Sequence, residues 1–388
     1  MKNVLIGATS SIAAYKIYEL IRKYKKNGYE VKVVLSKNAL NFVSVLVLES
    51  LTNNKVYFEQ FAPREDVEHI ALVDWADVFV LAPASANTIS KISTGIADNL
   101  LTSVITAYIG SKKPMAIAPA MNCDMWENPI IQENIEKLKK LDIEIIEPET
   151  GFLACGTEGK GRLADIDLIY EKSLRLLFQD KKNNSKKIVV TVGGTREKID
   201  SVRYITNASS GKMGHSLALW AYYLGYDVVA VTTVEKNAPY PQIKVNSADE
   251  MYQALLNQEF DYLVMAAAVG DFKVQNYSDN KISKENIKDE IFELKLVKNI
   301  DIVQAIAQNK KENQKIIGFC LADNNIVEIA KQKLANKKLD FIVANDVKTA
   351  LNTEKNKVTI IEKSGKIVDM GLESKENIAR KILEVVCD

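Results

Sequence analysis

The chain has 388 residues, 47% of them hydrophobic and 26% charged, which is enough mass for roughly two or three independent cores. Its 51 lysines and arginines nearly balance its 50 aspartates and glutamates, so no global field attracts nucleic acid or a membrane surface. We therefore expect small-molecule partners. Four scattered cysteines and only two histidines argue against a zinc or haem site and indicate a reducing, cytoplasmic environment.

Apolar, strand-like segments alternate with helical patterns along the first half of the chain. The strands fall at 4–8, 31–36, 78–84, 114–120 and 144–148, and the helices at 12–28 and 134–142. The apolar stretch at 42–51 is interrupted by polar residues and is too short to span a bilayer. The alternation predicts a parallel sheet with helices on both faces.

The same pattern starts again near residue 188. Strands are predicted at 188–194, 227–233, 262–269, 315–320, 340–346 and 357–363, with helices at 212–224, 248–256 and 327–335. The fold class is therefore α/β, with two doubly wound, Rossmann-like domains at 1–180 and 186–388. The polar, aperiodic segment 178–187 is interpreted as a linker, and the alternative is a surface loop inside one large domain.

Two segments join an apolar strand to a glycine- and serine-rich turn and a helix. They are KNVLIGATSSIAAYK (2–16) and KKIVVTVGGTREKID (186–200), the second followed by NASSGKMG (207–214). The unpaired N–H groups and the dipole at a helix start attract anions. Each half is therefore expected to hold a phosphate-bearing ligand.

Polar residues follow four consecutive strands of the first half, where ligands bind in such sheets. The candidate binding residues are Gly7, Ser10, Ser11, Ser36, Ser85, Asn87, Thr88 and Asn122. Serine and asparagine are also good helix caps, which is the better interpretation for any one of them taken singly. Four polar strand ends in a row favour a binding site.

Two further residues of the first half could carry chemistry. His69 is the only histidine there, so a proton relay near neutral pH would use it, although a lone histidine is more often structural. Cys155 stands among four glycines in GFLACGTEGKGRL (151–163), which predicts a mobile flap that delivers a thiol or, equally, an idle cysteine in a turn.

Residues 1–165 resemble the flavin-dependent cysteine decarboxylases, most closely the phosphopantothenoylcysteine decarboxylases. The motifs are GATSSIAAYK, HIALVDWAD, APASANTISKISTGIADNLL, APAMNCDMWENP and GFLACGTEGKGRL. The resemblance implies FMN at the strand ends, His69 as base or orienter, Asn122 on the substrate carboxylate and Cys155 as proton donor. It also implies a homo-oligomer, with FMN between the subunits of trimers that assemble up to dodecamers.

The second half offers a different phosphate site. The segment 193–214 matches neither the Walker P-loop nor GxGxxG, but Ser209 to Lys212 open a predicted helix where a phosphate could bind. Asp271 ends a buried strand and suits Mg²⁺ or a ribose. Lys281, in a polar loop, could neutralise a leaving pyrophosphate or could simply be a solvated lysine.

This half is similar to phosphopantothenate–cysteine ligase, and the fused pair to the bifunctional enzymes of bacterial coenzyme A biosynthesis. The matching pieces include GGTRE, VRYITN, SSGKMG, AAAV and DIV, between about 190 and 347. The resemblance implies CTP and Mg²⁺, an acyl-cytidylate of 4′-phosphopantothenate, and attack by cysteine. It assigns Asn207 to the acyl-cytidylate and Lys281 to pyrophosphate expulsion. The implied CTP residues are Met265, Ala266, Ala267, Asp271, Lys281, Ile300, Asp301, Ile302, Val303, Phe319, Lys333 and Lys337.

Together these features predict a cytoplasmic enzyme that makes 4′-phosphopantetheine, the ligase half acting before the decarboxylase half. Two alternatives stay open. One is a peptidyl-cysteine decarboxylase, against which the ligase half argues. The other is a flavoprotein that acts only as a regulatory binding subunit, against which the presence of both His69 and Cys155 argues.

Overall fold

The computed structural model describes residues 2–61, 68–152, 156–283, 292–322, 325–346 and 355–387. The chain divides into two compact units, Met1–Gln179 and Asp180–Asp388. Each unit has its own sheet and its own buried core, and each is described by itself.

The first unit is built on a sheet of six parallel strands in the order β3-β2-β1-β4-β5-β6, with a separate antiparallel hairpin, β7-β8. The strands are β1 (Asn3–Ala8), β2 (Glu30–Leu35), β3 (Val56–Tyr57), β4 (Val78–Ala84), β5 (Met115–Pro119), β6 (Glu144–Ile145), β7 (Glu149–Phe152) and β8 (Glu158–Arg162). Valine, leucine, isoleucine and alanine fill β1 and β4, which are buried almost throughout because helices cover both faces.

Helices connect these strands and bury one face each. They are α1 (Ile17–Lys26), α2 (Val45–Thr52), α3 (Glu68–Trp75), α4 (Ala86–Ser93), α5 (Leu100–Gly110), α6 (Cys123–Glu127), α7 (Pro129–Lys139) and α8 (Ile166–Phe178). In α1 the buried residues Ile17, Leu20, Ile21 and Tyr24 follow helical spacing, and Gly28 follows the helix in a left-handed conformation. Each fully buried large apolar side chain contributes about 1.5–3 kcal/mol.

The second unit has an eight-stranded sheet in the order β13-β12-β9-β14-β17-β18-β19-β20, and two short antiparallel pairs, β10-β11 and β15-β16. The strands are β9 (Lys187–Val192), β10 (Arg196–Lys198), β11 (Tyr204–Thr206), β12 (Asp227–Thr232), β13 (Gln242–Lys244), β14 (Tyr262–Met265), β15 (Phe272–Val274), β16 (Leu296–Lys298), β17 (Lys315–Ala322), β18 (Phe341–Asp346), β19 (Lys355–Glu362) and β20 (Ile367–Ser374). The helices are α9 (Lys212–Tyr223), α10 (Ala248–Leu256), α11 (Ile302–Gln308), α12 (Ile326–Asn336) and α13 (Lys375–Val386).

The predicted α/β fold class is confirmed, and the structure adds or corrects several details. The last two strands, β19 and β20, extend the second sheet in antiparallel fashion, because only short connections separate β19 from β20. The apolar stretch 42–51 mostly forms α2. The segment interpreted as a linker contains a short 3₁₀ turn, and the Asp180 N–H and the Asn183 side chain both donate to the Leu224 carbonyl, which holds this segment on the second unit.

In the part of the chain that the structure describes, no helix combines the length and the apolar character needed to cross a bilayer.

Gly7 shows how tightly the first core is packed. A Cβ added there would lie 2.8 Å from Phe79 Cζ and 2.9 Å from Leu81 Cδ1, both on the neighbouring strand and both fully buried. We expect Gly7→Ala to lower the free energy of unfolding by about 1–3 kcal/mol through overpacking. The unfolding midpoint of the full chain, followed by circular dichroism, measures this.

Gly110→Ala is the matched control, because nothing lies within 4 Å of a Cβ at that helix end. Its midpoint should stay at or slightly above that of the wild type, since alanine is the better helix former. Equal midpoints for the two variants would contradict the packing explanation.

Candidate active sites

The carboxyl edge of the first sheet is joined into one surface by hydrogen bonds between successive strand ends. The Ser36 N–H donates to the Ala8 carbonyl at 3.0 Å, which ties the end of β2 to the end of β1. Thr9 then bridges β1 to β4. Its N–H and its hydroxyl both donate to the Pro83 carbonyl, at 3.1 and 2.8 Å, and its Oγ1 accepts from the Ser85 N–H at 2.8 Å.

The next strand end is attached in the same way. The Ala120 N–H donates to the Ala84 carbonyl at 3.0 Å, and the Met121 N–H donates to the Gly161 carbonyl at 3.0 Å. The polar strand ends that the sequence singled out therefore form a continuous row, and their backbone positions are fixed before any ligand binds.

Ser36 carries the clearest sign of a ligand at this edge. Its Oγ is buried and lacks a hydrogen-bond partner among the described residues. A buried hydroxyl without a partner costs about 1–3 kcal/mol, so such a group is expected to find one in the functional state. This hydroxyl, on a row of strand ends whose backbone is already fixed, fits a hydrogen bond to a phosphate-bearing, hydroxyl-rich ligand such as FMN.

The other candidate residues of this edge have mixed environments. Ser11 caps the 3₁₀ turn at Ile12–Lys16, and Ser85 caps α4, where its Oγ also lies 3.3 Å from the hydroxyl of the buried Thr88. Ser10 is half-buried and Asn87 is exposed. Ser11 and Ser85 thus have the capping role that the sequence also allowed. Both residues still lie on the row of strand ends.

Gly7 and His69 differ in how far they are buried. Gly7 is buried inside β1, where contact with Phe79 already explains the need for glycine. His69 is half-buried in the first turn of α3. Since α3 leads into β4 of a parallel sheet, its first turn lies towards the carboxyl edge, as a role beside the ligand requires.

Asn122 is held by its own turn and by the β7-β8 hairpin. Its Oδ1 accepts from the Asp124 N–H at 2.8 Å as the N-cap of α6, so the side-chain orientation is set. On the hairpin, a Cβ at Gly161 would overlap the Met121 carbonyl, and one at Gly159 would lie 2.7 Å from Cys123 Cβ. These glycines let β8 lie directly on the turn that presents Asn122.

Cys155 lies outside the described residues. The segments on either side of it form the hairpin β7-β8. Part of the glycine-rich sequence interpreted as mobile backbone is therefore a paired strand, in which Gly159 and Gly161 permit close packing.

The second sheet has a comparable row at its carboxyl edge. The loop after β14 runs beside the end of β9: Ala268 N–H donates to the Gly193 carbonyl at 2.8 Å, and Thr195 N–H donates to the Ala268 carbonyl at 3.2 Å. The Thr195 hydroxyl accepts from the Gly270 N–H at 2.9 Å. Asn207 joins the same loop, because its Nδ2 donates to the Val269 carbonyl at 3.0 Å.

Most of the predicted CTP residues surround this loop. Met265 is buried at the end of β14, Ala266 and Ala267 follow it half-buried, and Asp271 is exposed at the far end of the loop. In register, Met265 pairs with Gly318, so the half-buried Phe319 lies beside the start of the loop.

Asn299 connects the loop to the next segment. Its N–H donates to the Asp271 carbonyl at 2.8 Å, and its Nδ2 donates to the Gly270 carbonyl at 3.1 Å. The predicted residues 300–303 follow directly, with Ile300 and Val303 half-buried and Ile302 buried. Asp301 caps α11 and forms an ion pair with Lys337 at 2.8 Å. Lys333 is exposed in the last turn of α12, four residues before Lys337, which directly follows the helix.

Lys281 is exposed, but the backbone beside it is anchored. The buried Asp200 carboxylate accepts from the N–H groups of Val202, Arg203 and Ile282, and it pairs with the Arg203 guanidinium, which also donates to the Ile282 carbonyl at 2.9 Å. The Arg203 hydrogen bonds hold the pKa of Asp200 well below its usual range. The backbone next to Lys281 is therefore held in place, while the lysine side chain is exposed.

The described residues contain no cluster of three or more histidine, cysteine, aspartate or glutamate side chains that could hold a metal ion. The single exposed carboxylate of Asp271 fits Mg²⁺ only where phosphate oxygens and water supply the other ligands, as is usual for this ion.

Four residues that build these edges carry no local signal in the sequence. Thr9 bridges two strand ends, Asp200 and Arg203 fix the Lys281 segment, and Asn299 joins two loops. The first was hidden inside the GATSS turn. The others serve contacts between residues far apart in sequence, which no local pattern reveals.

Two protein-family models match this chain, each over a different half. The flavoprotein family model matches residues 1–178, and the model for the C-terminal domain of DNA/pantothenate metabolism flavoproteins matches 183–388. The coenzyme A biosynthesis bifunctional protein CoaBC of Borreliella burgdorferi is 41% identical, with 99% of both chains covered. That of Bacillus subtilis is 37% identical, covering 99% of this chain and 96% of that protein. The chain belongs to the family of coenzyme A biosynthesis bifunctional proteins.

As a member of this CoaBC family, the chain is a bifunctional enzyme with a decarboxylase and a ligase activity in coenzyme A biosynthesis, and its first unit is a flavoprotein domain. Among solved structures, a mutant PPC decarboxylase complexed with pantothenoylaminoethenethiol is 38% identical across 44% of this chain and 95% of that chain, with a TM-score of 0.41.

His215, in the first turn of α9, supports the second edge. It is buried, with Nε2 donating to the Val234 carbonyl at 2.7 Å and Nδ1 3.3 Å from the Tyr240 hydroxyl. Burial lowers its pKa below the usual 6.5. The unfolded chain therefore binds this proton more readily, and stability is full above about pH 6.5 and falls as the pH drops below it.

We expect His215→Gln to remove this part of the pH dependence, because glutamine can still donate to Val234 but does not titrate. Unfolding midpoints of the wild type and the variant between about pH 7.5 and 5.5, above the range where most carboxylates titrate, test this. Parallel pH profiles would contradict the assignment.

Proposed function

We propose that the second unit joins 4′-phosphopantothenate to cysteine at the expense of CTP, through an acyl-cytidylate, and that the first unit decarboxylates 4′-phosphopantothenoylcysteine to 4′-phosphopantetheine with FMN. The observation that carries the proposal is that each unit has its own row of strand ends joined by hydrogen bonds, and that a different family model matches each unit. The enzyme is proposed to be cytoplasmic and homo-oligomeric, assembling from trimers up to dodecamers, without nucleic acid or membrane partners.

In the first unit, FMN binds along the row formed by Gly7, Ser10, Ser11, Ser36, Ser85, Asn87 and Thr88. The unpartnered Ser36 hydroxyl and the start of α4, where Asn87 is exposed, supply donors for its phosphate and ribityl groups. Bound FMN supplies two-electron redox chemistry at the thiol carbon of the substrate.

The side chains of this unit orient the substrate and move protons. With Oδ1 fixed by Asp124, the Asn122 amide directs Nδ2 to the substrate carboxylate, which it binds without neutralising it. The carboxylate therefore stays ionised, and when it leaves as neutral carbon dioxide the electron pair of the broken C–C bond stays on the carbon skeleton of the substrate. His69 acts as base or orienter beside the ligand, and Cys155 donates a proton after the hairpin closes.

Cys155→Ser should keep the yellow flavin absorbance and lower carbon dioxide release by at least about 100-fold, because a serine hydroxyl is a far weaker proton donor. Visible spectroscopy and carbon dioxide capture on phosphopantothenoylcysteine measure the two properties.

Cys123→Ser is the matched control, since Cys123 is a half-buried thiol at the start of α6 and carries no proposed chemistry. It should release carbon dioxide as the wild type does. Unchanged release by Cys155→Ser would show that Cys155 is not the donor, and a colourless wild type would reject the FMN assignment.

In the second unit, Met265 to Ala267, Asp271, residues 300–303 and Phe319 bind the cytidine part of CTP, and Lys333 and Lys337 contact its phosphates or ribose. Asp271 is the proposed Mg²⁺ ligand, with the remaining ligands from the phosphates and water. Asn207, held at the Val269 carbonyl, steadies the acyl-cytidylate. Lys281 lies beside the anchored Ile282 and stabilises the leaving pyrophosphate.

Lys281→Gln should reduce pyrophosphate release from CTP, Mg²⁺, phosphopantothenate and cysteine on the order of 100-fold, since it removes a charge that stabilises the leaving group. A coupled pyrophosphate assay measures this.

The matched control is Lys363→Gln, an exposed lysine just after β19. It should turn over at the wild-type rate. Turnover of the wild type with ATP and not with CTP would overturn the nucleotide assignment, and equal rates for both variants would remove Lys281 from the reaction.

A further inference from the structure

Two buried hydroxyls without a partner occupy the same position in the two units. Among the described residues, the buried side-chain polar atoms that lack a hydrogen-bond partner are Ser36 Oγ, Tyr108 OH and Thr233 Oγ1. Ser36 follows β2, and its N–H donates to the last carbonyl of β1. Thr233 follows β12, and its N–H donates at 3.0 Å to the carbonyl of Val192, the last residue of β9.

The two positions are topologically equivalent. The sheet orders β3-β2-β1-β4 and β13-β12-β9-β14 coincide strand for strand, so Ser36 and Thr233 stand at the same point of the carboxyl edge. In the first unit this point belongs to the proposed flavin site. The residues predicted for the nucleotide in the second unit did not include Thr233.

Thr233 lies against the start of α9. A Cβ on Gly193, which has φ +88°, would overlap Thr233 Oγ1, and a Cβ on Gly211 would lie 3.5 Å from Gly193 Cα. Gly211 is the N-cap of α9, and no side chain caps this twelve-residue helix. The hydroxyl thus lies beside Gly193, which in turn lies against Gly211 at a helix start that favours an anion.

The residues on either side of Thr233 are anchored by hydrogen bonds. Thr232 Oγ1 accepts from the Val234 N–H at 3.0 Å and donates to the Val234 carbonyl at 2.8 Å, and His215 also donates to that carbonyl. Thr233 is 7% exposed and lies between these two anchored residues. Its side chain is therefore presented from a rigid turn.

We propose that Thr233 Oγ1 donates a hydrogen bond to a phosphoryl oxygen bound at the start of α9. The inference rests on the proposed ligase function for the identity of its ligand, because that reaction offers two phosphoryl groups there. One is the polyphosphate of CTP and the other is the phosphate of 4′-phosphopantothenate. The shared chemistry is a tetrahedral, negatively charged phosphoryl group.

The test compares Thr233→Val, which keeps the shape and removes the hydroxyl, with Thr233→Ser, which keeps the hydroxyl. Thr359→Val is the matched control, because Thr359 is half-buried in β19, five strands from β12 in the sheet order. Titration calorimetry on the full chain with its flavin uses four probes: CTP with Mg²⁺, CMP, 4′-phosphopantothenate and pyrophosphate.

We expect Thr233→Val to weaken binding about tenfold or more, as loss of a hydrogen bond to a charged group does, while Thr233→Ser and Thr359→Val bind like the wild type. Weaker CTP and pyrophosphate binding with unchanged CMP binding assigns the hydroxyl to the polyphosphate. Weaker phosphopantothenate binding assigns it to the acid. In either case the ligand-free Thr233→Val protein should unfold at the same or a higher temperature, since a buried unpaired hydroxyl has been removed.

The inference is overturned if Thr233→Val binds all four probes as the wild type does, or if it unfolds at a lower temperature without ligand, as a purely structural hydroxyl would require. A wild type that binds pyrophosphate but neither CTP nor phosphopantothenate rejects the ligase proposal alone, and the pyrophosphate comparison still decides the role of Thr233. A wild type that binds none of the four probes rejects both.

Discussion

One backbone hydrogen bond, made twice, supports both binding edges. In each unit the residue after the second strand donates its N–H to the last carbonyl of the first strand, Ser36 to Ala8 and Thr233 to Val192. This bond turns the chain over the sheet edge and leaves the side chain of the donor residue buried there. Because the backbone group is satisfied within the fold, the hydroxyl is the atom left to interact with a ligand.

The parts of the fold that the sequence predicted are those that local chemistry dictates. Apolar runs such as those of β4 and β12 can only be strands buried on both sides, and the helix after GGTRE was placed to within one residue of α9. The antiparallel ending of the second sheet was missed because the apolar residues of β19, Val358, Ile360 and Ile361, mark a strand without showing its direction. Its direction depends on the connections, which periodicity does not encode.

The candidate sites could be predicted as positions but not as contacts. Ser36 and Asn122 follow strands, so their place at the carboxyl edge could be inferred from the chain alone. Asp271 was expected to end a strand, but β14 ends at Met265 and Asp271 lies at the far end of the loop that follows. Thr9, Asp200 and Asn299 could not be inferred, because each gains its importance from a partner more than twenty residues away. The sequence could not separate the roles of the glycines near Cys155, since flexibility and close backbone approach both require glycine, and the structure shows close approach at Gly159 and Gly161.

Burying a hydroxyl that has no partner costs free energy, of the order of 1–3 kcal/mol, and a fold keeps such a group only if something else offsets that cost. At Tyr108 the aromatic ring fills the core against Phe79, 5.4 Å away between centroids, so apolar burial can offset it. Ser36 and Thr233 have no comparable apolar surface to bury. On the proposed assignments, a phosphate-bearing ligand supplies the missing partner at each position, and the turn that holds each hydroxyl lowers the entropy cost of that contact. The proposals therefore imply that ligand binding offsets the free energy that each unpaired hydroxyl costs the empty edge.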